Sequence, residues 1–224
     1  MNNERIKFLK LGIKELPNEF LDYAKTISGK NGEIFDADEA GVWKRVLDYR
    51  LAKFLKPKYV LETHSGKFLA SKLYELASPE STLISMTHYQ DLPDKIDDGV
   101  VDFVDVDPYG LPYDALKYVM PKLADKFVIS ITNGEIVQVT RKLKGVYLKS
   151  NYSGKDSWKW VENIYISYLE KLLNADVAYF YIFPTSVRVI LSKGIELPSE
   201  LFEGCEKYMW WIKKYAHKKE VYLI

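Results

Sequence analysis

Two short segments of the chain gather side chains suited to binding and catalysis. The first is Asp107-Pro108-Tyr109-Gly110, which follows the apolar run VVDFVDV at 100–106. Proline fixes the backbone and removes a donor, leaving its carbonyl as an acceptor beside the carboxylate of Asp107. That set suits a flipped nucleobase. Asp107 and the Pro108 carbonyl accept from an exocyclic amine, while Tyr109 stacks on the ring. Held this way, the amine lone pair faces an incoming electrophile, which is catalysis by positioning. The same four residues also make a favoured β-turn, so their weight comes from lying at the end of an apolar strand.

The second segment is Glu62-Thr63-His64-Ser65-Gly66-Lys67, at the end of KYVLE (58–62). Gly66 lets backbone pass close to a ligand, and the following helix offers free N–H groups and a partial positive charge at its start. A carboxylate on a cofactor fits there, and Glu62 can accept from an amino or hydroxyl group. A phosphate-binding GxxxxGK[ST] loop is excluded, because Leu61 and Phe68 stand where glycine and Ser/Thr are needed.

The elements that must position these segments follow from periodicity. A helix is predicted over 37–55, ended by Pro57, then a strand at 58–62 and a helix over 67–76. Further strands are predicted at 82–86, 100–106 and 126–132, with a helix over 113–123. The acidic stretch 90–99 reads as loop with at most one short element. A helix over 158–173 precedes two strands, 177–183 and 187–192, on either side of Pro184-Thr185-Ser186, which is a hairpin signal. Strands alternating with helices imply a mostly parallel sheet covered on both faces. In such a sheet ligands bind beyond the carboxyl ends of the strands, where both chemical segments fall.

A parallel sheet closed by an antiparallel hairpin is the pattern of the Rossmann-like, seven-stranded α/β sheet of S-adenosylmethionine (SAM)-dependent methyltransferases. VDVDPYGLPYDAL (104–116) resembles the D-P-[PF]-[YG] motif of amino-methyltransferases. It is most similar to the DPFGSP form of the tRNA (guanine 2-amino) dimethyltransferase family. His64-Ser65-Gly66-Lys67, the helix ENIYISYLEKLL (162–173) and the strand SVRVIL (186–191) are similar to further elements of that family. The resemblance spans roughly 35–193 as a pattern of elements. It implies SAM as cofactor, held by Glu62, Thr63, His64, Ser65, Gly66 and Lys67, with Phe35 as an aromatic that stacks on it or packs in the core. It implies Asp107, Pro108 and Tyr109 as the catalytic set. With residues 194–224 alone following Lys193, no counterpart of that family's large C-terminal domain is expected in this sequence. The second strand ends Met86-Thr87-His88 rather than in an acid, leaving His88 or Asp91 for the cofactor ribose. The expected organisation is an N-terminal extension (1–34), the methyltransferase domain (35–193) and a basic helical tail (194–224).

Length and composition bound the rest. The 224 residues are 47% hydrophobic and 28% charged, enough for a real core and against disorder. No apolar run reaches about 18 residues, as a membrane-spanning helix requires. MNNERIKFLK lacks the pattern of a secretion signal, and one cysteine, Cys205, allows no internal disulfide, so a cytoplasmic setting is expected. Three histidines without ligand spacing make a metal site an unsupported reading. A net charge of +1 excludes a globally basic nucleic-acid binder, so any such footprint is local. Arg141, Lys142, Lys144, Lys149, Lys155 and Lys159, with Trp158 among them, form the candidate footprint, since rings stack on bases while cations meet phosphate. A solvated face with a core tryptophan is the competing reading. Abundant Lys, Glu, Ile and Tyr with only two glutamines hint at a thermophilic source. The expectation is methyl transfer to an exocyclic amine of a base in RNA or DNA. The alternatives are an inactive methyltransferase-like binding subunit, and an enzyme acting on a small-molecule or protein amine.

Overall fold

The computed structural model describes residues 2–28, 39–66, 69–108, 110–136, 157–182 and 186–205. Two helices, α1 (Asn2–Glu15) and α2 (Asn18–Ser28), precede the long helix α3 (Glu39–Leu55). Then come β1 (Tyr59–Glu62), α4 (Leu69–Ala77), β2 (Thr82–Ser85), β3 (Val101–Val106), α5 (Tyr113–Val119) and β4 (Leu123–Asn133). Helix α6 runs as Ser157–Trp160, a π-helical turn Val161–Tyr165, and Ile166–Leu173. The hairpin strands β5 (Asp176–Ile182) and β6 (Val187–Lys193) follow.

The sheet order is β2-β1-β3-β4-β6-β5. The first four strands are parallel, and β6 inserts antiparallel between β4 and β5. Central strands buried on both faces read as mostly apolar runs, broken in β3 by Asp102 and Asp105 and in β6 by Arg188. Edge strand β5 alternates exposed and covered positions over its first half. The hairpin expected from sequence is present. The expected seventh strand is not: the described residues hold six. Between β2 and β3 the chain makes only a 3₁₀ turn, Tyr89–Asp94. That segment carries Asp91, Asp94, Asp97 and Asp98, Pro93, and Gly99 with φ +73°, and strands disfavour all three residue types.

Helix ends have local causes. Lys56 takes a left-handed φ of +45° just before Pro57 and donates its N–H to Ala52 O at 3.0 Å, closing α3. The helix predicted over 113–123 stops at Val119. A 3₁₀ turn, Met120–Lys122, contains Pro121, which has no N–H to give, and β4 begins at Leu123. Leu16 and Phe20, in and beside the N-terminal helices, are buried in the same apolar core as Val46, Leu47 and Leu51 of α3. Gly12 allows α1 to lie against α3, because a Cβ there would meet Val42 at 2.7 Å.

Candidate active site

β1 and β3 are parallel neighbours with Glu62 paired to Asp105, and Thr63 N–H donates to Asp105 O at 3.0 Å. Both chemical segments therefore leave the sheet side by side, at the carboxyl ends of adjacent strands.

Asp107 is ion-paired with Lys44 of α3, and Arg45 Nη2 lies 3.9 Å from the same carboxylate oxygen. Its side chain is 19% exposed. Burial alone would raise this carboxyl, but Lys44, Arg188 and Arg45 hold it well below the usual carboxylate range. The same burial lowers the Lys44 ammonium, opposed by Asp107. Oδ1 of Asp107 takes no hydrogen bond among the described residues.

Beneath Asp107 lies a buried charge network. Arg188 of β6 pairs with Asp48 of α3 and, at 3.0 Å, with Asp105 of β3, and donates to Thr132 Oγ1 of β4 at 2.9 Å. Tyr74 of α4 donates to Asp105 Oδ2 at 2.7 Å, and Arg45 reaches Asp48 at 3.2 Å. Asp48, Asp105 and Arg188 are fully buried, so each charge depends on its partners. Burial works against the Arg188 charge, but Asp105, Asp48 and Asp107 outweigh it and raise its pKa.

Glu62 is 3% exposed. Its Oε2 accepts from Ser71 and, at 3.1 Å, from Ser85. Burial and then Asp105 push the carboxyl up to about 7. Oε1 takes no hydrogen bond among the described residues. In the following loop Gly66 has φ +49°, a conformation that glycine adopts without Cβ strain. Ser65 N–H donates to Met86 O at 2.9 Å, while its buried Oγ has no partner among the described residues. Thr63 Oγ1 lies 2.7 Å from His64 Nδ1, and the His64 ring leans on Tyr89. Burial lowers the His64 pKa, which keeps the imidazole neutral near pH 7.

The loop after β3 is tied to the loop after β4. Gly134 N–H donates to Gly110 O at 2.9 Å, and a Cβ at 134 would come within 3.2 Å of that oxygen. Beside it, buried Glu135 accepts from the Tyr113 hydroxyl, with Asn133 Nδ2 at 3.2 Å from the same hydroxyl.

Of the residues singled out from sequence, Glu62, Thr63, His64, Ser65, Gly66, Asp107 and Pro108 gather at these strand ends. His88 is exposed and precedes the 3₁₀ turn. Trp158 packs edge-on against Phe180 with ring centroids 6.5 Å apart, Lys159 is exposed, and Trp160 is buried against Tyr165. Phe35, Lys67, Tyr109, Arg141, Lys142, Lys144, Lys149 and Lys155 lie outside the described residues. Asp105, in the strand that leads to Asp107, is a fully buried counter-ion of Arg188. Lys44, Arg45, Asp48, Arg188 and Glu135 were not anticipated. A signal existed for some: 44, 45 and 48 put three charges on one stripe of α3, beside its buried apolar positions, and Arg188 interrupts an apolar strand. A small cavity of about 200 Å³, lined by Val60, Tyr74, Ser78 and Leu83 among others, sits by the amino ends of β1 and β2, away from this chemistry.

No protein-family model and no curated protein matches the chain. Solved structures do. The O-methyltransferase TomG from Streptomyces achromogenes, involved in tomaymycin synthesis and solved with SAM, superposes with a TM-score of 0.53 at 11% identity, over 80% of this chain and 92% of TomG. Trm1 from Pyrococcus horikoshii, also solved with SAM, superposes with a TM-score of 0.51 at 15% identity, over 67% of this chain. This is the SAM-dependent methyltransferase fold. The chain spans only 54% of the length of Trm1. Among the described residues no helix is long and apolar enough to cross a membrane, and no cluster of His, Cys, Asp or Glu could hold a metal.

Proposed function

We propose that the chain is a SAM-dependent methyltransferase that transfers a methyl group to an exocyclic amine of a nucleobase in RNA or DNA. The observation that carries this reading is the placement of Asp107-Pro108 beside Glu62-to-Gly66 on adjacent parallel strands, in a fold shared with enzymes solved with SAM. The residues present fit that cofactor. Among the described residues Ser65 Oγ is buried without a partner and Glu62 Oε1 is uncommitted, and the left-handed Gly66 opens the loop. Glu62, Thr63, His64, Ser65 and Gly66 would hold it, with Lys67 and Phe35 as further contacts and His88 or Asp91 toward the ribose. Bound SAM supplies a methyl group on a positively charged sulfur, ready for nucleophilic attack.

The chain's own work is to aim the nucleophile. Asp107 Oδ1 and the Pro108 carbonyl accept the two N–H bonds of the amine, so its lone pair points at the methyl. Tyr109 stacks on the base. The N–C bond would form as the methyl's bond to sulfur breaks and the neutral thioether leaves, and the positive charge gained by nitrogen would strengthen its N–H bonds to Asp107 and the Pro108 carbonyl. Asp107 is held too acidic to keep the proton, which passes to water. The basic segment carrying Arg141, Lys142, Lys144, Lys149, Lys155, Trp158 and Lys159 guides the polyanion.

A small-molecule acceptor is the second reading, supported by the 92% coverage of TomG, itself an O-methyltransferase. Labelled methyl transfer onto tRNA, single-stranded DNA, duplex DNA and free nucleosides separates the two. The proposal expects label on a base amine in polymer and none on nucleosides. Asp107→Ala should remove that label while leaving SAM affinity within a few-fold. Normal turnover by the variant would sink the assignment of Asp107.

A further inference from the structure

We propose that Lys44 is a positioning residue for Asp107, fixing from helix α3 the carboxylate that meets the substrate amine. This rests on the amine-transfer reading above. The Lys44 ammonium pairs with Oδ2 alone, Arg45 stands behind that same oxygen at 3.9 Å, and Oδ1 is left open. One oxygen is thus anchored and the other presented.

The anchor is itself held. One helical turn further along α3, Asp48 pairs with the buried Arg188, which also grips Asp105 two residues before Asp107. Helix α3 and strand β3 are therefore clamped at Asp48 and Asp105, and Lys44 extends the clamp to the reacting end of the strand. The charged and titratable groups facing Asp107 are Lys44 and Arg45 from α3, Arg188 from β6, His64 from the loop after β1, and the like charge Asp105. Arg188 is already shared between Asp48 and Asp105, and Arg45 bonds Asp48, so among the described residues Lys44 is the cation committed to Asp107 alone. An amine orienter must stay anionic to accept its N–H bond without donating, and this pair secures that state for Asp107.

The test compares wild type, Lys44→Gln and Lys44→Arg, reading methyl transfer against pH and the titration of the Asp107 carboxyl carbon by NMR, assigned with Asp107→Asn. Lys44→Gln should lower kcat by roughly tenfold or more, since a misplaced orienting group is costly in rate. Its acid limb should move upward by about one pH unit or more, because an opposite charge has been lost. Lys44→Arg should restore both, and the KM for SAM should hardly change. The NMR titration requires no turnover, so Asp107 titrating higher in Lys44→Gln supports the pairing even if no amine substrate is found. A wild-type protein that binds SAM and methylates nothing would sink the functional reading alone. Unchanged Asp107 titration in folded Lys44→Gln, or activity that rises on losing Lys44, would overturn this proposal.

Discussion

Glu62 is a carboxyl group with two serine hydroxyls for neighbours and almost no water, and its chemistry follows from that. Its pKa of about 7 in the folded chain stands above the ordinary value of 4.5. The folded state therefore holds this proton more tightly than the unfolded chain does. The contribution to stability is complete below the unfolded pKa and is lost as pH rises toward 7. Above that, the buried anion costs about 3 kcal/mol. Glu62→Gln should raise the urea midpoint at pH 8 and leave it nearly unchanged at pH 5. Cofactor affinity should run the other way. An ionised Glu62 is the better acceptor for an ammonium, so SAM affinity should weaken as pH falls through about 7, and Glu62→Gln should flatten that dependence in calorimetry. Glu62 and Asp107 were legible because strand ends followed by Gly or Pro are local patterns. Their supporting charges were not. Lys44 meets Asp107 across 63 positions and Arg188 meets Asp48 across 140, separations no periodicity reports.

Element boundaries follow the same division between local and distant causes. The strands and the hairpin were readable from apolar runs and from Pro184-Thr185-Ser186, whereas the helix over 113–123 was overextended because Pro121 turns the chain early into β4. What binds the elements together is the Asp48–Arg188–Asp105 link between α3, β6 and β3. Removing one partner strands the others in a site without water. Arg188→Met should therefore cost roughly 3–5 kcal/mol in chemical denaturation. Gly66→Ala acts on backbone alone. At φ +49° an alanine costs about 1–2 kcal/mol, and unfolding measured without cofactor should show it.

Across the whole molecule, the order β2-β1-β3-β4-β6-β5 places both chemical segments on neighbouring central strands. Parallel β1 and β3 could be foreseen from strand–helix alternation. The described residues hold six strands rather than the expected seven, and the acidic stretch 90–99, whose composition already spoke for a loop, makes only a 3₁₀ turn. Near-neutral net charge makes the nucleic-acid reading depend on one basic segment. Replacing Lys149, Lys155 and Lys159 with glutamine should weaken RNA or DNA binding uniformly across sequences. It should also flatten the salt dependence by up to roughly 0.7–0.9 log units per lost phosphate contact. A small-molecule enzyme would show no such slope. The claim beneath all of these is that the strand ends hold SAM. The most direct test is a calorimetric titration of the purified chain with SAM and with S-adenosylhomocysteine. Saturable one-to-one binding of both, with a Kd on the order of micromolar and weakened in Glu62→Gln, is the predicted result. A folded chain that binds neither would contradict the account.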